Sequence, residues 1–245
     1  MGLATRIIPT VLCKGRTLVK GQKFQPWRSV GLAAQAVRIH AARFVDEVIL
    51  LDVNATPEGR GPDLGLVQEL QEVLFSPLGV GGGVRSLDDA KALLRAGADK
   101  IVVGTGAVRT IRAIVQACGS QAIVAAVDYR DDGYCYTRCG ERQIPMSPVL
   151  WARELERAGA GEILLTSIDR EGTMSGYDLT TIEDVASAVS VPVVAHGGCQ
   201  GYEDMLSAIR VGAAAVAAGA LFQFTNDTPR EAARVLYDDR ASGLG

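Results

Sequence analysis

The sequence predicts an α/β fold, a (β/α)8 TIM barrel with an internal half-barrel duplication. Short Val/Ile/Leu runs alternate with amphipathic segments about a dozen residues long, as parallel strands alternate with crossover helices. Eight such units can be counted, enough to close a barrel. Landmarks also recur at a constant offset of 115 residues: Glu47 and Glu162, Asp63 and Asp178, Gly82–Gly83 and Gly197–Gly198, Gly97 and Gly212, Gly104 and Gly219. An open doubly wound sheet would alternate in the same way, so the repeat decides. Two similar four-strand halves cover each other's edges when they close.

RIIPTVL is the first strand candidate, leading into the basic, glycine-bearing loop CKGRTLVKG and the helical pattern LAAQAVRIHAARF. EVILLDV follows, and the helix DLGLVQELQEVL behind it opens with an Asp suited to an N-cap. LGVGG precedes SLDDAKALLRAG, which opens on Ser, and KIVVG is the fourth strand. The second half reads AIVAAVD, the Ser-Pro start of SPVLWARELERAG, EILLTSI, DLTTIEDVASAV, VPVVAHG and AAVAAG. The chain is thus expected to be one barrel domain over residues 1–245, with half-barrels of about 1–119 and 120–245.

Composition fits one large aliphatic core: 245 residues, 48% hydrophobic with 5% aromatic, 28 glycines and a net charge of −3. No basic field invites nucleic acid. The longest apolar run, VGAAAVAAGALF, is too short and glycine-interrupted to span a bilayer, and no signal-peptide pattern precedes the first strand. A cytoplasmic location is expected. The five cysteines, Cys13, Cys118, Cys135, Cys139 and Cys199, are scattered and read as reduced thiols, with Cys135 and Cys139 on a loop hairpin. No metal and no cofactor are expected, because nothing near Cys135 and Cys139 completes a zinc site.

In such a barrel the functional site lies at the C-terminal ends of the strands. Glycine clusters sit there in VGGGVRS, GTGA, AHGGCQG and AAGALF. They either let backbone N–H groups approach an anion at helix N-termini or merely permit tight turns. Their symmetric recurrence predicts two phosphate sites.

The segments GGGVRS, RAGADKIVVGT, GAGEILLTSIDREGTMSGYDL and VPVVAHGG resemble the cyclase subunit of imidazole glycerol phosphate synthase, and the resemblance runs from Arg6 to about Phe224. It implies a (β/α)8 barrel with a glutaminase at its N-terminal face, sending ammonia through the barrel to a bisphosphate at the other end. It assigns phosphate contacts to Gly83 and Thr105 at one site and to Gly172, Gly198 and Ala218 at the other. The chain departs from the family at Gly104, where Asn is usual, at Gly219, where Ser is usual, and at His196, which replaces another Ser.

The family's cyclase chemistry uses two aspartates, at the ends of strands one and five. Asp128 matches the second, but TVLCK places Leu12 where the first belongs. A leucine exchanges no proton, so the two-acid mechanism cannot run unchanged. The family's ring of alternating charges at the barrel floor matches Arg6, Glu47, Lys100 and Glu162, and its glutaminase contact matches Asp99. Charges at strand starts also simply solvate a barrel floor. Lys20 matches a basic residue near the active end, and Glu171 replaces an aspartate. His196 either meets a phosphate or fills space, Trp27 lies on the loop after strand one, and His40 is expected to be a surface or partly buried histidine without a catalytic role.

Leucine at the first-aspartate position is similar to a branch associated with amidation of surface-polysaccharide sugars, in which a barrel subunit paired with a glutaminase hands ammonia to a separate sugar amidotransferase or synthetase. The leading expectation is an ammonia-conducting synthase subunit of that kind, binding a phosphorylated small molecule. A genuine cyclase (lyase) of histidine biosynthesis is the second, and a non-catalytic phosphate-binding assembly protein the third. Whether the chain is itself an enzyme turns on Leu12.

Overall fold

The computed structural model describes residues 5–43, 45–104 and 106–242. The first half runs β1 (Arg6–Lys14), β2 (Thr17–Lys20), β3 (Arg28–Leu32), α1 (Ala33–Ala42), β4 (Val48–Asp52), α2 (Leu64–Gln71), β5 (Leu78–Gly81), α3 (Leu87–Ala96), β6 (Lys100–Val103) and α4 (Ala107–Cys118). After a short 3-10 turn at Ser120–Ala122 come β7 (Ile123–Tyr129), β8 (Cys135–Thr137), β9 (Arg142–Ile144), α5 (Pro148–Arg157), β10 (Glu162–Ser167), α6 (Leu179–Ala188), β11 (Val193–His196), α7 (Tyr202–Arg210), β12 (Ala215–Ala218), α8 (Ala220–Phe224) and α9 (Pro229–Ser242).

Strands β1, β4, β5, β6, β7, β10, β11 and β12 pair in that order, all parallel, and β12 returns to β1 with Arg6 opposite Ala215. The closed (β/α)8 barrel predicted from the sequence is therefore present. All eight strand candidates and all five quoted helical patterns form where the periodicity places them. No helix among the described residues is long and apolar enough to cross a membrane.

Two antiparallel additions extend the barrel strands. β2 and β3 fold back on β1, and β8 and β9 fold back on β7, the matching strand of the second half. The second hairpin carries Cys135 and Cys139, as expected. The first lies in what the sequence reads as loop. A register shift between Leu18 and Val19 interrupts the pairing of β2 with β3, and the two residues bury on opposite faces in the ordinary alternation of a strand, Leu18 in the outer core and Val19 against Leu12 and Val53.

Side chains alternate strictly along the barrel strands. On β1, Ile7, Val11 and Cys13 face the helices, while Ile8 and Leu12 belong to inner clusters. The inner apolar layer is Ile8, Ile49, Val102, Val124, Leu164, Val194, Ala215 and Ala217. A larger outer core seals the strands against the helices.

The 115-residue offset recurs in backbone conformation. Gly82 and Gly197 have φ of 102° and 90°, and Gly97 and Gly212 have 112° and 109°. Asp63 caps α2 through Leu66 N–H, and Asp178 caps α6 through Thr181 N–H. We propose that the half-barrels divide near residue 119, on these paired conformations and the paired hairpins.

His40, expected at or near the surface, is instead buried. α1 turns it inward, where its Nε2 lies 3.2 Å from the Gln223 amide. Burial pushes its pKa down to about 4, so it stays neutral.

Asp63→Ala is expected to cost about 1 kcal/mol, the worth of one N-cap. Asp178→Ala should cost more, because Asp178 also accepts from Tyr129 Oη at 3.1 Å and Thr181 Oγ1 at 2.6 Å, whereas the further partner of Asp63 is the exposed Arg16, an ion pair worth little in water. Urea midpoints of the two variants check the order.

Candidate functional site

The C-terminal ends of the strands surround an open cleft, with Leu12, Leu51, Asp52, Val102, Gly104, Ala126, Asp128, Thr166 and His196 among its walls. The hairpins contribute Phe24, Arg138 and Cys139 at its rim. Strand parity separates Leu12 from Cys13 on β1. Cys13 points outward into the helix layer, whereas Leu12 points into the cleft, so the leucine occupies the inward place. It packs with Val19 and Val53, and with partly buried Trp27, Leu51 and Cys139, to make one wall apolar.

The opposite wall is polar. Asp128, Thr166 and His196 are register neighbours on β7, β10 and β11. Burial raises the Asp128 carboxyl to about 7; a hydrogen bond with Thr166 opposes the rise, and the charge of Glu171 reinforces it. His196 is buried, its Nδ1 3.2 Å from Thr166 Oγ1 and its Nε2 3.0 Å from Thr10 Oγ1. Glu171 Oε2 lies 3.7 Å from the same Nε2. Burial lowers the histidine's pKa and Glu171 opposes the fall. Here the histidine is a cross-linker of the inner wall that also faces the cleft.

Asp52 was not singled out in the sequence, although it ends β4 and an acid at the end of a barrel strand is itself a signal. Its carboxylate accepts from the backbone N–H of Gly15, Asn54 and Ala55 and pairs with Arg60 Nη1 at 3.1 Å, so it is held in place. Thr10 and Thr166 carried no signal along the chain, because only the register brings them beside His196.

The expected phosphate residues divide. Gly172, Gly198, Ala218 and Gly219 line one small pocket together. Glu171 lines it too, and an ionised carboxylate there opposes an anion. Lys20 lines an adjoining pocket with Gly172 and Gly219, its ammonium 4.2 Å from the Phe224 ring centre. At the other site Gly104 faces the main cleft, while the Gly83 N–H donates to Thr56 Oγ1 at 3.2 Å. Thr105 lies outside the described residues. Gly172 has a separate structural reason to lack a side chain: at φ 71°, a Cβ would sit 2.0 Å from Gly21 O.

At the other end of the barrel the four expected charges meet. Arg6 Nη1 reaches Glu47 Oε2 at 2.5 Å, and Arg6 Nη2 bonds Glu162. Lys100 Nζ lies 2.8 Å from both Glu47 Oε2 and Glu162 Oε2, closing a ring of alternating sign. Asp99, exposed beside it, accepts the Leu78 N–H at 2.8 Å and steadies the start of β5.

Asp128 has a pH signature in stability. Its folded pKa is raised above that of the unfolded chain, so its contribution is fully present below about pH 4 and is lost as pH rises through about 7. Asp128→Asn should therefore stabilise the protein increasingly from pH 4 to pH 7, reaching about 2 kcal/mol after discount for partial exposure. Urea unfolding at pH 4, 5.5, 7 and 8 measures it.

A family model described as histidine biosynthesis protein matches residues 6–228. The chain is 43% identical over 242 residues to imidazole glycerol phosphate synthase subunit HisF of Hyphomonas neptunium, covering 96% of each. It is 43% identical over 232 residues to the protein of that name from Pyrobaculum aerophilum, covering 91% of this chain and 92% of the relative. With the Dictyoglomus thermophilum protein the identity is 39% over 243 residues, 96% of each. Match and relatives alike span most of the barrel, and the chain belongs to the histidine biosynthesis protein family.

Proposed function

We propose that this chain is the barrel subunit of a glutamine-dependent synthase of the imidazole glycerol phosphate synthase type, passing ammonia from a glutaminase at the barrel floor to the cleft at its top. The observation that carries the reading is the closed ring of Arg6, Glu47, Lys100 and Glu162, set below an all-hydrocarbon layer with the cleft above it. An apolar interior favours neutral ammonia over ammonium, because a bare cation loses its hydration there. The relatives' shared description as a synthase subunit supports a partner. Phe75, 99% exposed between α2 and β5, offers that partner an apolar foothold on the floor beside the start of β5. The pocket at Gly172, Gly198, Ala218 and Gly219, with Lys20 adjoining, supports a phosphorylated ligand. The narrower proposal, that the nitrogen finally serves sugar amidation through a separate synthetase, rests on Leu12.

Lys100→Met tests the ring. In the complex with its glutaminase, glutamine should still be hydrolysed while ammonia-dependent product falls, because Glu47 and Glu162 lose their shared cation. An unchanged ratio of glutamine consumed to product formed, in a variant that melts normally, leaves the charges as a solvated rim and overturns the reading.

A genuine cyclase is the second reading, favoured by the relatives' description and by the retained Asp128. The readings part in an assay with ammonium salt and the bisphosphate substrate. The first expects little turnover in the wild type and a gain of about 100-fold in Leu12→Asp, which restores an acid to the inward place on β1. Brisk wild-type turnover decides for the cyclase.

A further inference from the structure

The polar wall of the cleft holds a row of groups with exchangeable protons. The row runs from Asp128 to its register neighbour Thr166, whose Oγ1 lies 3.2 Å from Nδ1 of His196, and from Nε2 to Thr10 Oγ1 at 3.0 Å, with Glu171 Oε2 3.7 Å from Nε2 and one small movement from contact. Asp128, Thr166 and His196 stand side by side on adjacent strands, so the backbone ladder fixes their spacing. The Thr166 hydroxyl has one proton to give and can accept another bond, so its direction follows the state of its neighbours.

We propose that Asp128, Thr166 and His196 form a proton relay, in which His196 is a second proton-exchanging group of the cleft and connects Asp128 to buried Glu171. With Asp128 ionised, Thr166 donates to the carboxylate, His196 donates from Nδ1 to Thr166, and Nε2 accepts from Thr10. A proton that Glu171 has taken up, passed to Nε2 when side-chain movement closes the 3.7 Å between them, makes the ring transiently cationic and leaves the carboxylate behind. The Nδ1 proton then passes to the Thr166 oxygen, and the Thr166 proton passes to Asp128. One proton has entered at Nε2 and one has appeared on Asp128. The ring is neutral again with its proton on Nε2, now donating to Thr10. Reversal returns the proton and the tautomer together.

The groups facing this line support it. Glu171, from the loop after β10, is the charged neighbour common to Asp128 and His196. Cys135 and Cys139 of the β8–β9 hairpin stay protonated, their thiols pushed up to about 12 by burial and by the charge of Asp128. Asp52, on β4, is already paired with Arg60. Arg138 reaches the rim of the cleft, within 3.9 Å of Glu141. Leu12 forms the facing wall and cannot carry a proton, so exchange within the cleft falls to this line.

The inference rests on the proposed function for its use in chemistry, but its test needs neither substrate nor partner. Loss of synthase activity and loss of the relay are therefore read separately. The full chain, labelled with 15N at its two histidines, is followed by NMR from pH 5.5 to 8.5. His40 serves as an internal reference, since its pKa near 4 keeps it neutral throughout. The expected result is that the proton of His196 moves from Nε2 to Nδ1 as pH rises through about 7, where Asp128 ionises. Asp128→Asn should abolish the step and Thr166→Val should uncouple it, whereas Thr166→Ser, which keeps the hydroxyl, should retain it. A His196 tautomer that stays fixed across this range in the wild type overturns the relay. So does a step that persists at the same pH in Asp128→Asn.

Discussion

Closure of the parallel hydrogen-bond ladder is the constraint on which the rest of this structure depends. Once β12 pairs with β1, the register of every strand is locked, and so is the side of the wall on which each side chain falls. Arg6 and Ile8 on β1, Glu162, Leu164 and Thr166 on β10, and Val194 and His196 on β11 then stack as charged, apolar and polar levels within one tube. A slip of one residue in any strand would send its share of each level outward into the helix layer. Floor and cleft are thus tied mechanically, although no side chain spans the distance between them.

The floor is where burial and charge conflict most. Glu47 and Glu162 are almost wholly buried, and each is held by both Arg6 and Lys100. The four formal charges cancel, so the ring is neutral as a unit while no member could be removed cheaply. Glu47 Oε1 nonetheless has no hydrogen-bond partner. An unsatisfied buried oxygen in an otherwise paired ring is a weak point in the floor, as it holds the carboxylate less firmly than full bonding would.

Much of this was legible in the sequence because periodicity and glycine spacing report backbone geometry directly. The barrel strands and the five quoted helices are regular elements whose parity can be counted, and the paired glycines fall just past their ends; the four floor charges were expected from the family resemblance instead. The β2–β3 hairpin was not legible, since β2 is only four residues long, β3 is exposed along its whole length with no buried face to announce it, and a register shift interrupts their pairing. The polar row was hidden for a different reason. Asp128, Thr166 and His196 lie far apart along the chain, and only register makes them neighbours. His40 was misplaced because one histidine on an amphipathic helix does not reveal which edge of the apolar stripe will be covered; α1 turns it inward toward Gln223. Nor could spacing show that the Gly83 N–H is taken by Thr56.

The apolar wall built by Leu12, Val19 and Val53 has a geometric consequence of its own. A barrel assembled from two like halves has a near-dyad along its axis, and a mouth that respected it would accept an elongated guest equally well in either of two orientations. Here Leu12, Val19 and Val53 of one half present hydrocarbon where the other half presents Asp128, Thr166 and His196. The mouth therefore has a front and a back. A guest with one oily and one polar end is sorted by direction as it enters, and polarity has been made from a scaffold whose backbone hardly distinguishes its two sides.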